Sequence, residues 1–199
     1  MGKSTLPYAM QTEGENAMNP DVKLAAETLV KSDIILLLLA APTRVRSATN
    51  ALPGITRLEK LVFLAEQETE LPKLIPEGGF SFQAYNYGPY SREIYQAVEL
   101  LEEAGLLTEE RVSVSNALDE MEEISIVLDE QEGVERRFHL TEDGKTVARF
   151  LLAQHQKVSD LLTGIKDRYA AMPLRQLIRY VYTRYPKYAE QSLIRDQVL

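Results

Sequence analysis

The chain has 199 residues, 45% hydrophobic and 26% charged, with a formal net charge of −8, which suits one domain with appendages, or two small ones, around a substantial core. It contains no cysteine, so disulfides, thiolate metal sites and cysteine nucleophiles are excluded, and a reducing cytoplasm is the expected location. The acidic average argues against a general nucleic-acid coat, because non-specific binding rests on phosphate neutralisation, but the last quarter is locally basic and a local basic footprint stays open.

Residues 1–18 mix Gly, Ser, Thr, Glu and Asn without a period and read as a mobile leader. Gly2-Lys3-Ser4-Thr5 lacks the upstream glycine and feeding strand of a phosphate-binding loop and is read as chance. Asn19-Pro20-Asp21 predicts a helix start, with the helix reaching about Ala41 and breaking near Ser32-Asp33. Ile34 to Leu39 is apolar all round and should be central; the run to Ala41 is too short to span a membrane, and no membrane partner is expected. Residues 42–54 are a loop. Thr56-Arg57-Leu58-Glu59 has the spacing of a capping box, and Leu58, Leu61, Val62 and Ala65 continue as a helix face.

Phe80 to Tyr87 alternates as a half-buried strand. Pro89 is placed at the first position of a helix over 90–104, whose apolar face is Ile94, Ala97, Val98 and Leu101 and whose end is Gly105. Arg111 to Val114 reads as a short strand. The alternating segments 124–128 and 134–140 predict a β-hairpin about the turn DEQEG. Thr141-Glu142-Asp143 caps the next helix, with Val147, Leu151, Val158 and Leu162 on one side. Residues 163–172 connect to a helix opened by Pro173, with Leu174, Leu177, Ile178, Val181 and Tyr182 on its apolar face, stopped at Tyr185-Pro186. A short helical tail is expected between Ser192 and Val198.

The fold class expected is mainly α with a small β-hairpin, a winged helix-turn-helix with N- and C-terminal helical additions, divided as 1–18, 19–165 and a packed extension 166–199. The stretches Gly54 to Leu64, Tyr85-Asn86-Tyr87-Gly88-Pro89-Tyr90-Ser91, His139 to Gly144 and Arg179 to Pro186 resemble the YwgA-like winged-helix proteins of bacteria and archaea. More distantly the chain is similar to the SocA/GepA-type domain of antitoxins and phage-associated proteins, which shares the helix Lys60-Leu61-Val62-Phe63-Leu64-Ala65 and the turn Tyr87-Gly88-Pro89. The resemblance spans about residues 30–190, implies the winged-helix fold and transfers no catalytic residue.

Two separated histidines, His139 and His155, make a poor start for zinc. Ser91 follows Gly-Pro-Tyr, not the elbow of a serine hydrolase. The carboxylates of Asp119 to Glu123 and Asp129 to Glu132 lack an ordered ligand spacing and read as a solvated or partner-facing acidic surface. No enzyme, cofactor or resident metal is therefore expected. The favoured reading is a DNA-binding transcriptional regulator, a homodimer with Arg44, Arg46, Arg57 and Lys60 holding phosphates and Ser91, Arg92, Tyr95 and Gln96 at base edges of double-stranded DNA. The alternative is a protein-interaction module of an antitoxin or phage-defence system, whose acidic surface binds a basic protein. A second basic region, with Arg175, Arg179, Arg184 and Lys187 among tyrosines, reads as helix packing or a protein interface.

Overall fold

A helix that is apolar on every side has no face to give to water, so it must be surrounded. That is the position of the run Ile34 to Leu39, every residue of which is at most 1% exposed. The structure, a computed structural model, describes residues 28–113 and 134–199. In it the run lies within helix α1 (Lys31–Ala40), so the described helix begins at the expected break, with Asp33 accepting from the Val30 N–H at 2.9 Å. The start expected at Asn19 lies outside the described residues. Helix α1 packs against α3 (Arg92–Glu103), α4 (Glu142–Gln154) and α5 (Gln156–Tyr169), which together bury it.

The rest of the mainly helical fold follows in order. Strand β1 (Ala51–Pro53) leads into α2 (Ile55–Glu68). The hairpin β2 (Gln83–Tyr85) and β3 (Gly88–Tyr90) precedes α3; strands β4 (Leu107–Ser113) and β5 (Val134–Leu140) follow it. The chain ends with α4, α5, α6 (Leu174–Arg184) and the short α7 (Arg195–Val198). The larger antiparallel sheet has the order β1-β5-β4, with Leu107 opposite Leu140, Ser113 opposite Val134, and Leu52 opposite Phe138.

Several local expectations hold for the stated physical reason. Gly105 adopts φ 69°, and α3 closes with Leu106 N–H donating to Leu101 O and Gly105 N–H to Glu102 O, the paired bonds of a Schellman ending. The Thr141 hydroxyl accepts from the Gly144 N–H at 2.9 Å and donates to Gly105 O at 2.7 Å, so one side chain caps α4 and ties it to the end of α3. All five apolar-face residues expected on α6 are buried.

Other expectations are corrected. Helix α2 starts at Ile55 behind Gly54, at φ 78°, and Thr56 lies inside it; the capping box does not form because the Glu59 carboxylate turns inward to Lys60 and Ser91. Gly88-Pro89 belongs to β3 and not to the helix start; Gly88 takes φ 96° after a two-residue turn, and α3 begins at Arg92. Strand β5 pairs along its whole length with β4, and 124–128, the expected hairpin partner, lies outside the described residues, as does the acidic segment containing Asp119 to Glu123 and Asp129 to Glu132. The helix after Thr141 breaks at His155 (φ −114°, ψ 55°), Val147 on α4 is 39% exposed, and α5 continues through residues read as a connection.

The C-terminal helices are fastened by cations. Lys166, fully buried, donates to Leu39 O and Ala41 O at 2.9 Å each, satisfying carbonyls at the end of α1 that have no helical partner. Burial pulls its pKa down to about 8. Arg175 and Arg179 donate to Gln197 O and Val198 O, holding α7 against α6, which assigns half of the second basic region to packing. The hydroxyls of Tyr169 and Tyr180 both donate to Glu68, at 2.6 and 2.7 Å, joining α2 to α5 and α6.

Candidate functional site

The start of α3 is where three elements converge, with a buried inner side and an exposed outer side. Lys60, 1% exposed on α2, donates to Pro89 O at 3.0 Å and lies 3.4 Å from the Glu59 carboxylate. The other oxygen of Glu59 accepts from the Ser91 N–H at 3.3 Å. Burial pushes the Glu59 carboxyl up, against the opposing pull of Lys60 and the Ser91 N–H. An ion pair on α2 thus holds β3 and the first residue before α3 by their backbone. Gly88 completes the seat: a Cβ there would lie 2.7 Å from the Tyr182 ring of α6.

A second inward group sits one turn on. Glu93 accepts from Lys31 Nζ and from the Ser81 N–H, both at 2.6 Å. Burial raises its pKa, but these two partners outweigh burial and hold it below the usual carboxylate range. Beside it, Glu66 accepts from the Phe80 N–H at 2.5 Å, and burial pushes its carboxyl up to about 7 against that bond and the Lys31 charge. The native protein therefore binds more protons at Glu66 than the unfolded chain between about pH 4.5 and 7, so unfolding free energy falls as pH rises through that window. Glu66→Gln keeps an acceptor for Phe80 and removes the titration. Relative to wild type it is expected to gain about 2–3 kcal/mol between pH 4.5 and 8, read by urea unfolding at both pH values; a difference that does not change with pH contradicts this.

The outer side is aromatic. Tyr85 and Tyr90 are diagonal neighbours on one face of the β2–β3 hairpin, with ring centroids 5.0 Å apart. Tyr95, in the first full turn of α3, adds a third ring 5.4 Å from Tyr90. Tyr85 is 47% and Tyr95 36% exposed, and Leu100, on the opposite edge of the exposed side of α3, is 54% exposed. Arg92, Gln96, Glu99 and Glu103 are exposed on the same helix. This face has aromatic rings along one edge and Leu100 on the other, with one cation at its start and two carboxylates toward its end between them.

The structure separates the residues expected at DNA. Arg92, Tyr95 and Gln96 share the exposed start of α3. Lys60 and Ser91 do not join them: both are buried, because α2 packs on every side at this level and Ser91 sits against Glu59. Arg57 donates to Ala170 O and Met172 O, at 3.1 and 2.6 Å, and so closes the connection from α5 to α6. Arg44 is exposed beside Asp167, whose carboxylate accepts from the Arg44 N–H and the Thr43 hydroxyl; Arg46 is exposed in a single 3-10 turn.

No protein-family model, curated protein or solved structure matches the chain. Its own geometry is the guide to its chemistry. Among the described residues no group of three His, Cys, Asp or Glu is arranged to hold a metal ion, and no helix is long and apolar enough to cross a membrane. His139 lies 3.2 Å from Glu110 across the β4–β5 pair, and His155 is the joint between α4 and α5. The tyrosine row is not apparent in sequence because its three rings come from a strand, its hairpin partner and a helix; only Tyr95 stood out, through its place on the helix. The five-residue spacing of tyrosines at 85, 90 and 95 is the one signal available.

Proposed function

We propose that the protein is a non-enzymatic winged-helix protein whose exposed α3 face docks another protein. The order α1-β1-α2-α3-β4-β5 and the sheet order β1-β5-β4 support that fold, with α3 as its recognition helix and β4–β5 as its wing. The observation that carries the docking role is the tyrosine row of exposed Tyr85, half-buried Tyr90 and exposed Tyr95, with Leu100 exposed on the same helix. Aromatic side chains with an Arg beside them are the composition of interface centres, where large rigid rings give up water at little entropic cost. The titratable groups behind the row, Glu59, Lys60, Glu66 and Glu93, hold backbone N–H or carbonyl groups, a positioning role that supports the non-enzymatic reading. Because Arg92 lies at one end of the face and Glu99 and Glu103 at the other, the face is mixed in sign and does not by itself select a basic partner. The resemblance to antitoxin-associated domains agrees with a protein partner.

Regulation through DNA is the second reading. Arg92, Tyr95 and Gln96 are exposed together, and Glu93, the carboxylate that would most oppose phosphate there, is neutralised by Lys31. Glu99 and Glu103 remain on the face and repel phosphate, while Lys60 and Arg57 are committed elsewhere. A fluorescence titration with duplex from upstream of the protein's own reading frame, at low and moderate salt, separates the two. No saturable binding is expected. Saturable binding that falls steeply with salt and is weakened by Arg92→Ala would overturn the protein-docking reading in favour of DNA.

A further inference from the structure

From the order of side chains along the exposed face of α3, we infer that its partner is a second copy of the same helix, packed antiparallel about a two-fold axis. This rests on the docking reading of that face and names its occupant. The exposed residues of α3 on this face are Arg92, Tyr95, Gln96, Glu99, Leu100 and Glu103. Arg92, Gln96, Glu99 and Glu103 recur at intervals of four, three and four, the spacing of one contact seam along a helix. The seam carries its cation in the first turn and its carboxylates in the later turns. In an isologous contact, residue i of one copy meets j of the other and j meets i. An antiparallel pair centred between Ala97 and Val98 sets Arg92 opposite Glu103 and Gln96 opposite Glu99, each twice. Every opposed pair is a cation with a carboxylate or an amide donor with a carboxylate.

The flanks of the seam agree. Tyr95 lies on one side and Leu100 on the other, and in an antiparallel pair each flank meets its own copy across the axis. The Tyr85–Tyr90–Tyr95 rows of the two molecules then abut on one side, and the two Leu100 side chains on the other, which covers the large apolar groups left exposed here. A parallel pair instead places Glu99 on Glu99 and Glu103 on Glu103, like charges in contact. A uniformly basic partner meets Arg92, and a nucleic acid meets Glu99 and Glu103. Of these, the antiparallel second copy satisfies both ends. A twelve-residue helix is about 18 Å long, so the contact is small and the dimer is expected to exchange rapidly, with a dissociation constant on the order of micromolar.

Sedimentation velocity over a concentration series tests this with variants at exposed positions, each checked for native fold by circular dichroism. Wild type is expected to pass from monomer to dimer. Arg92→Glu and Glu103→Arg each place like charges opposite one another twice, and each is expected to weaken the dimer by roughly tenfold or more. The double variant restores the pairs in reverse and is expected to recover most of the loss. A chain that stays monomeric, a dimer indifferent to the single changes, or a double variant no better than either single overturns the inference. The broader docking reading has a separate readout, the covalent capture from position 95 described in the Discussion, which registers a different protein as readily as a second copy.

Discussion

Lys60→Met is expected to lower the unfolding free energy by about 3–5 kcal/mol, because it removes one partner of a buried ion pair and leaves the other charge uncompensated. The side chain is of similar length and apolar, so packing volume is nearly kept and the electrostatic loss dominates. Glu59 then lies buried without its cation, and Pro89 O loses the donor at 3.0 Å. Burial already raises the Glu59 carboxyl, and removal of Lys60 raises it further, so the loss should be smaller at lower pH, where proton uptake neutralises the isolated charge, than at pH 8. Adding Glu59→Gln should recover much of the stability, since an uncharged pair leaves no isolated charge. Urea unfolding of the two variants at lower pH and at pH 8 is the check, with amide exchange at Ser91 reporting whether the start of α3 loosens with it. A loss below about 1 kcal/mol would mean that the pair is not buried in solution and that Lys60 is available at the surface.

Gly144→Ala carries the second large effect, and its sign is informative. In an exposed helix interior this change stabilises by about 1 kcal/mol through helix propensity. Here the added Cβ would lie 1.9 Å from Leu106 O, a backbone atom that also accepts from the Thr141 N–H at 3.1 Å. A backbone carbonyl cannot swing aside as a long side chain can, so α4 must move away from the end of α3. The Thr141 bonds to Gly105 O and Leu106 O, which cross the junction, stretch together. Such forced overpacking costs about 1–3 kcal/mol or more, which outweighs the propensity gain. At 2–4 °C per kcal/mol for a chain of this size, a net loss of about 2 kcal/mol lowers the melting temperature by about 4–8 °C. A melting temperature equal to or above wild type would show that the α3–α4 junction is looser than described.

The features that were legible in the sequence are those set by a few neighbouring residues. Gly105 marked the end of α3, Thr141 the start of α4, and the 3.6-residue spacing of Leu174 to Tyr182 the buried side of α6, because capping and amphipathicity are local. The all-apolar run Ile34 to Leu39 placed α1 at the centre for the same reason. Errors arose where a distant segment decided the outcome. Glu59 had the spacing to cap α2 but is taken by Ser91, thirty-two residues on. Lys60 looked like a surface cation at a helix start, yet Leu58, Leu61, Val62, Phe63 and Leu64 leave α2 no outer face at that level, a warning present in the sequence itself. Pro89 fits a helix start by its missing N–H, but the turn that gives Gly88 its positive φ places it in a strand. Strand β5 pairs with 107–113, next to α3, where the Schellman ending turns the chain back, and the expected segment 124–128 lies outside the described residues. The tyrosine row needed all of these placements at once.

The most direct measurement of the docking role is covalent capture from the row itself. Tyr95 is replaced with p-benzoylphenylalanine, a photoreactive aromatic of similar shape, and the protein is irradiated in a lysate of its source cells and, separately, in purified form. The account predicts an adduct that is unaffected by nuclease, whose digestion yields peptides crosslinked at position 95 to a second polypeptide, and that is lost when the neighbouring ring is removed by Tyr85→Ala. A nuclease-sensitive adduct, or equal labelling from an exposed control position such as Thr183 on α6, would contradict a protein-docking face on α3.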